Sequence, residues 1–141
     1  MARARIAKEL FCEMKNETAL LGRITSALAI EGVSIVHLSA YSVKEKGFLQ
    51  FIVKDPEKAR KALKHFIPEI LERDVLIVEF ENKTGTLAPV CKVLGNHAVF
   101  IDYVYGTSSD GFKIIGVFST SDNEKAVKVI NEECGSMETS A

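Results

Sequence analysis

The chain has no tryptophan and only three prolines and three cysteines. Cys12, Cys91 and Cys134 are far apart and form no metal-ligand spacing. An odd number of scattered thiols suits a reduced, intracellular protein rather than a disulfide scaffold. Neither sign of charge is in excess: 18 basic against 19 acidic residues leave a formal net charge of -1. That balance weighs against nucleic acid or a membrane surface as partner. No apolar run approaches the length needed to span a bilayer. Met1-Ala2-Arg3-Ala4-Arg5-Ile6 leads into Lys8 and Glu9 without the apolar core of a secretion signal. The expectation is a soluble, cytoplasmic protein.

Apolar residues are plentiful, at 47%, and they are arranged in periodic pieces. Residues 5–14 alternate as a strand. Asn16-Glu17-Thr18-Ala19 then leads into Leu20, Leu21, Ile24, Ala27 and Leu28 at helical spacing, with Gly32 as the stop. Val33 to Leu38 is the next strand, Lys44-Glu45-Lys46-Gly47 a turn, and Phe48 to Val53 the returning strand. Asp55 caps a second helix with Pro56 in its first position. Extended chain resumes near Ile70 and runs to Phe80.

The stretch that follows is the most informative. Glu81-Asn82-Lys83-Thr84-Gly85-Thr86-Leu87-Ala88-Pro89-Val90 joins a strand to a helix through a small polar loop. Gly85 permits backbone angles closed to other residues and a close approach by another group. Thr84 and Thr86 are candidate caps, and Pro89, lacking an N–H, fits the first turn. A helix N-terminus of this kind attracts a carboxylate or a phosphate.

The same design occurs earlier. Shifted by 66 positions, Asn16, Thr18, Leu21, Leu28, Val33, Ile35 and Ser42 fall on Asn82, Thr84, Leu87, Leu94, Val99, Ile101 and Ser108. Gly47-Phe48 aligns with Gly111-Phe112 through a turn two residues shorter in the second copy, and Glu57-Lys58-Ala59 with Glu124-Lys125-Ala126. The order of elements predicts two tandem β-α-β-β-α-β copies, an α+β fold of two ferredoxin-like units with antiparallel sheets and helices on one face. The expected division is residues 1–74 and 75–141. After Glu133 the second copy lacks a last strand, which residues 1–8 could supply.

With the loop motif and the repeat in view, the sequence resembles a tandem pair of ACT domains, small regulatory modules that bind amino acids. The resemblance spans roughly residues 5–132. The family's loop reads Asn or Asp, any residue, Pro, Gly, any residue, Leu; here it stands as Asn82-Lys83-Thr84-Gly85-Thr86-Leu87, with Thr84 for Pro. The first copy keeps Asn16, Thr18 and Leu21 but has Ala19 where glycine belongs. The resemblance implies a ligand held between this loop and the second strand of a neighbouring copy, here Ser34-Ile35-Val36 and Phe100-Ile101. Ser34 and Phe100 stand where the family favours an asparagine, and Phe100 would crowd a small ligand.

Other patterns carry less. Lys46-Gly47-Phe48-Leu49-Gln50-Phe51 echoes an RNA-binding signature, but Phe48 and Phe51 are three apart and point to opposite faces. His37, His65 and His97 lie at unrelated places, so neither a metal nor a cofactor is expected. Tyr103 and Tyr105 are expected to share a strand face with Val99 and Ile101. No Cys–His or Ser–His–Asp arrangement is evident. The expected function is non-enzymatic: a sensor of an amino acid, acting as a homodimer or on a partner enzyme or regulator. The alternative is a structural dimerisation module with degenerate sites.

Overall fold

The structure, a computed structural model, describes residues 1–108 and 111–135. Its elements run β1 (Ala2–Lys15), α1 (Leu20–Ile30), β2 (Ile35–Val43), β3 (Lys46–Val53), α2 (Pro56–Leu63), β4 (Leu71–Glu81), α3 (Leu87–Asn96), β5 (Ile101–Ser108), β6 (Lys113–Thr120) and α4 (Asn123–Glu133). They form two compact units. One is Lys8–Arg73; the other joins Met1–Ala7 to the residues from Asp74 onward. Strands β1 and β4 each contribute to both. The residues after Gly135, where the sequence shows only a polar tail, lie outside the described set.

Each unit is a βαββαβ sandwich of two helices on one face of an antiparallel sheet. In the first unit β3 pairs with both β1 and β2, antiparallel. Leu10, Cys12, Leu49, Phe51 and Val53 meet Ile24 and Leu28 of α1 and Ala59 and Leu63 of α2 in one core. In the second unit β6 pairs with both β4 and β5. Leu76, Val78, Phe80 and Phe118 meet Val90, Val93 and Leu94 of α3 and Ala126, Val129 and Ile130 of α4. Each buried valine, leucine, isoleucine or phenylalanine among these contributes about 1.5–3 kcal/mol by leaving water. Ala2 and Ala4 of β1 belong to this second core. Asn131 of α4 holds the Ala4 backbone from both sides, accepting from its N–H at 2.7 Å and donating to its carbonyl at 3.0 Å.

The helix boundaries follow from local chemistry that is repeated. Asp55 accepts from the Lys58 N–H and Asp122 from the Lys125 N–H, so each second helix starts on an aspartate cap. Each first helix ends on a left-handed residue, Gly32 at φ 71° and Ala98 at φ 57°. The next N–H then reaches back, Val33 to the Leu28 carbonyl and Val99 to the Leu94 carbonyl, both at 2.9 Å. This is a Schellman-type closure.

Two expectations need correction. Leu38 faces Phe51 and Val104 faces Phe118, so β2 and β5 are related by 66 residues but β3 and β6 by 67. The second hairpin is thus one residue longer, not two shorter, and Gly47 corresponds to Ile114 rather than Gly111. Second, a bulge interrupts the register between Ile101 and Tyr103, and another between Ile35 and His37. A bulge inserts one residue and reverses the alternation beyond it. Ile101 therefore packs towards the helices, while Tyr103 and Tyr105 stack on each other, 6.3 Å between ring centres, on the opposite face.

On that opposite face of the first unit lies a buried acid. The Glu9 side chain is 0% exposed and accepts from Arg73 Nε at 3.1 Å. The Arg73 guanidinium in turn stands 4.3 Å above the Phe11 ring. Charge pairing and cation–π contact together make a buried carboxylate tolerable there.

Candidate ligand-binding site

The strand–loop–helix corners of the two units carry a left-handed residue at the matching position. Helix α1 starts directly after it, at Leu20, and α3 one place later, at Leu87. Gly85 sits at φ 86°, and a side chain built on it would meet nothing within 4 Å. The constraint there is conformational, and the space above the residue is open. Ala19, its counterpart, adopts φ 65° and ψ -1°, so the first loop keeps the left-handed turn without glycine. An alanine in that region is strained by roughly 1–2 kcal/mol.

The asparagine of each loop ties it to the neighbouring hairpin. The Asn82 N–H donates to the Phe112 carbonyl at 2.9 Å and its Nδ2 to the Gly111 carbonyl at 3.1 Å. Likewise the Asn16 N–H donates to the Glu45 carbonyl at 2.8 Å and its Nδ2 to the Lys44 carbonyl at 3.3 Å. Each asparagine braces the corner against a turn almost thirty residues away. Thr86 occupies the cap position of α3, but its hydroxyl does not cap the helix. It donates back to the Glu81 and Lys83 carbonyls at 2.6 and 2.9 Å, closing the loop on itself. Lys83 pairs with Glu81 at 2.8 Å. The hydrogen bond and the charge of each partner lower the Glu81 pKa and raise that of Lys83.

Behind each corner lies an open pocket. In the second unit it measures about 350 Å³, lined by Lys83, Gly85, Thr86, Leu87 and Ala88 from the corner. Phe80, Val104, Tyr105, Gly106, Ile114, Gly116 and Phe118 of the sheet complete it. In the first unit it measures about 230 Å³, and Asn16, Glu17, Leu20, Leu21 and Ile24 face Met14, Ala40, Tyr41, Ser42, Gly47, Phe48 and Leu49. The shared geometry places a helix N-terminus at the mouth and apolar walls behind it. Among the described residues no group of three His, Cys, Asp or Glu could hold a metal ion.

Of the corner residues named from the sequence, Lys83, Gly85, Thr86 and Leu87 line the second-unit pocket and Asn16 the first-unit one. Asn82 only braces its hairpin, and Thr84, Thr18 and Ala19 line neither pocket. The strand starts do not join them there: Ser34, Ile35 and Val36, like Phe100 and Ile101, line neither pocket. Phe100 is 74% exposed and leaves the pocket of its own unit uncrowded. Its N–H donates to Ser121 Oγ at 2.9 Å. Sequence reasoning missed the floor made by Gly106, Gly116 and Phe118. A signal was present, since two glycines inside strands mark a close approach or a gap.

A family model described as an ACT domain pair matches residues 6–137. Protein BT0572 from Bacteroides thetaiotaomicron is 32% identical, with a TM-score of 0.84 over 92% of this chain and 90% of that one. The ligand-free regulatory subunit of aspartate kinase from Thermus thermophilus shares the fold at a TM-score of 0.66 and 14% identity, over 91% of this chain and 96% of that one. The aspartokinase alpha and beta subunits superpose with a TM-score of 0.64 at 14% identity, over 92% and 95% of the respective chains. No curated protein matches the sequence. The match covers nearly the whole chain, and the chain belongs to the ACT domain-pair family.

Proposed function

We propose that this regulatory domain pair senses a free amino acid at the strand–loop–helix corner and acts through a homodimer or on a partner enzyme in the cytoplasm. The observation that carries the reading is the recurrence, in both units, of one assembly: left-handed loop residue, asparagine brace and pocket. The ligand carboxylate lies at the α3 N-terminus, where the helix dipole favours an anion. Its side chain enters the pocket. Exposed Phe100 and Phe112, 74% and 80% accessible, support burial against a second copy. The three cysteines are free thiols, in keeping with a reducing compartment.

The second reading, a structural dimerisation module with degenerate ligand sites, has one observation in its favour: in the first unit Ala19 and Leu49 stand where the second has Gly85 and Gly116.

A thermal-shift screen of the twenty amino acids tests the proposal, because a ligand that binds only the native state raises its melting temperature. At least one is expected to do so, and Gly85→Val, shown folded, is expected to abolish the shift by placing a branched side chain in the open approach. The absence of any shift, or an equal shift in Gly85→Val, refutes this site.

A further inference from the structure

We infer that the second-unit pocket selects amino acids with a bulky apolar side chain, and that Gly116 is the residue that makes the room. The inference rests on the sensor reading above and specifies its ligand. At the facing hairpin positions the second unit pairs Gly106 with Gly116, while the first pairs Ala40 with Leu49. Leu49 is buried and lines the smaller pocket, about 230 Å³. Where Gly116 replaces it the pocket opens to about 350 Å³.

Gly116 also shapes the floor. A Cβ there would stand 2.8 Å from Phe118 Cε1 and 3.7 Å from Phe80 Cε1. The missing side chain lets the two rings approach the strand and form an aromatic base. Among the described residues Lys83 is the single charged one in the lining, and its ammonium is already paired with Glu81 at 2.8 Å. A basic ligand side chain would find no carboxylate in that lining. An acidic one would find the one ammonium already held by Glu81. Either would lose hydration without recovering it. A leucine-sized or aromatic side chain fills the apolar volume instead. The size lies at the lower end of small-molecule sites, which suits a single amino acid.

The test is calorimetric titration of the full chain with leucine, isoleucine, phenylalanine, alanine, lysine and aspartate. Leucine has three more carbons than alanine, and each buried carbon is a factor of about four, so it should bind on the order of 50-fold more tightly. Gly116→Leu should weaken leucine or phenylalanine binding at least tenfold. Should the new side chain unfold the unit by displacing Phe118, Val104→Trp decides the matter. Val104 lies on edge strand β5, is 47% exposed and lines the same pocket. A preference for alanine, lysine or aspartate, or undiminished affinity in the folded variants, overturns the inference and leaves the sensor reading intact. Binding of no amino acid at all overturns both.

Discussion

Asn131 is the residue whose removal tests most directly how the N-terminal strand is held in the second unit. Its side chain accepts from the Ala4 N–H at 2.7 Å and donates to the Ala4 carbonyl at 3.0 Å, both partly buried. Nearby, the Ala2 N–H donates to the Cys134 carbonyl at 2.9 Å. Gly135 leaves no room for a side chain, since a Cβ would lie 2.5 Å from the Asn131 carbonyl oxygen and 3.1 Å from that of Ala2. The strand is thus seated against the end of α4 by backbone contact and one amide. Asn131→Ala removes two hydrogen bonds of about 0.5–1.5 kcal/mol each and leaves two partly buried backbone groups unpaired. The expected loss is about 1–3 kcal/mol in urea denaturation. Hydrogen exchange gives the sharper readout. The Ala4 amide and its neighbours on β4 should lose protection, while β3 of the first unit keeps its own. A loss below about 0.3 kcal/mol, or equal loss of protection in both units, would refute the reasoning.

Ala98 occupies the left-handed position that Gly32 fills in the first unit, so Ala98→Gly should stabilise the chain by up to about 1 kcal/mol, read from the urea midpoint. An unchanged or lower midpoint would show that the strain is absent. Burial pushes the Cys12 thiol from its usual 9.0 up to about 11, so the folded state retains a proton that the unfolded state releases. Stability attributable to Cys12 should therefore be complete below about pH 9, fall between pH 9 and 11, and level off above; the full drop is about 3 kcal/mol. Comparison with Cys12→Ala in alkaline denaturation checks this, and identical pH slopes in the two proteins would contradict it.

Much of the fold was legible because its signals are local. Asp55-Pro56 announces a helix start through one cap and one fixed φ, and α2 begins at Pro56. The tandem pattern was visible because both corners keep Asn, Thr and Leu at the same spacing. What stayed hidden depends on pairing across the chain. A bulge cannot be read from a strand that is apolar on both faces, so the alternation carried Tyr103 to the face of Ile101. The hairpin lengths were misjudged because Gly47-Phe48 and Gly111-Phe112 look alike, although register places Gly47 opposite Met14 and Ile114 opposite Phe80. The pocket floor was missed because a glycine announces nothing until its partner across the ladder is known.

The same pairing explains how two copies of one corner can diverge in use while keeping the brace and the left-handed loop residue. The brace depends on backbone carbonyls of the hairpin turn, which any sequence supplies: Lys44 and Glu45 in one unit, Gly111 and Phe112 in the other. The left-handed loop residue tolerates alanine at a cost of roughly 1–2 kcal/mol, within what a folded unit can absorb. Neither feature constrains the floor. At the floor, one position on the returning strand decides whether a buried leucine completes the core or a glycine leaves a cleft, with Phe51 and Phe118 holding equivalent core positions beneath. A substitution there changes what the corner can hold and leaves the brace, the helix start and the sheet register in place.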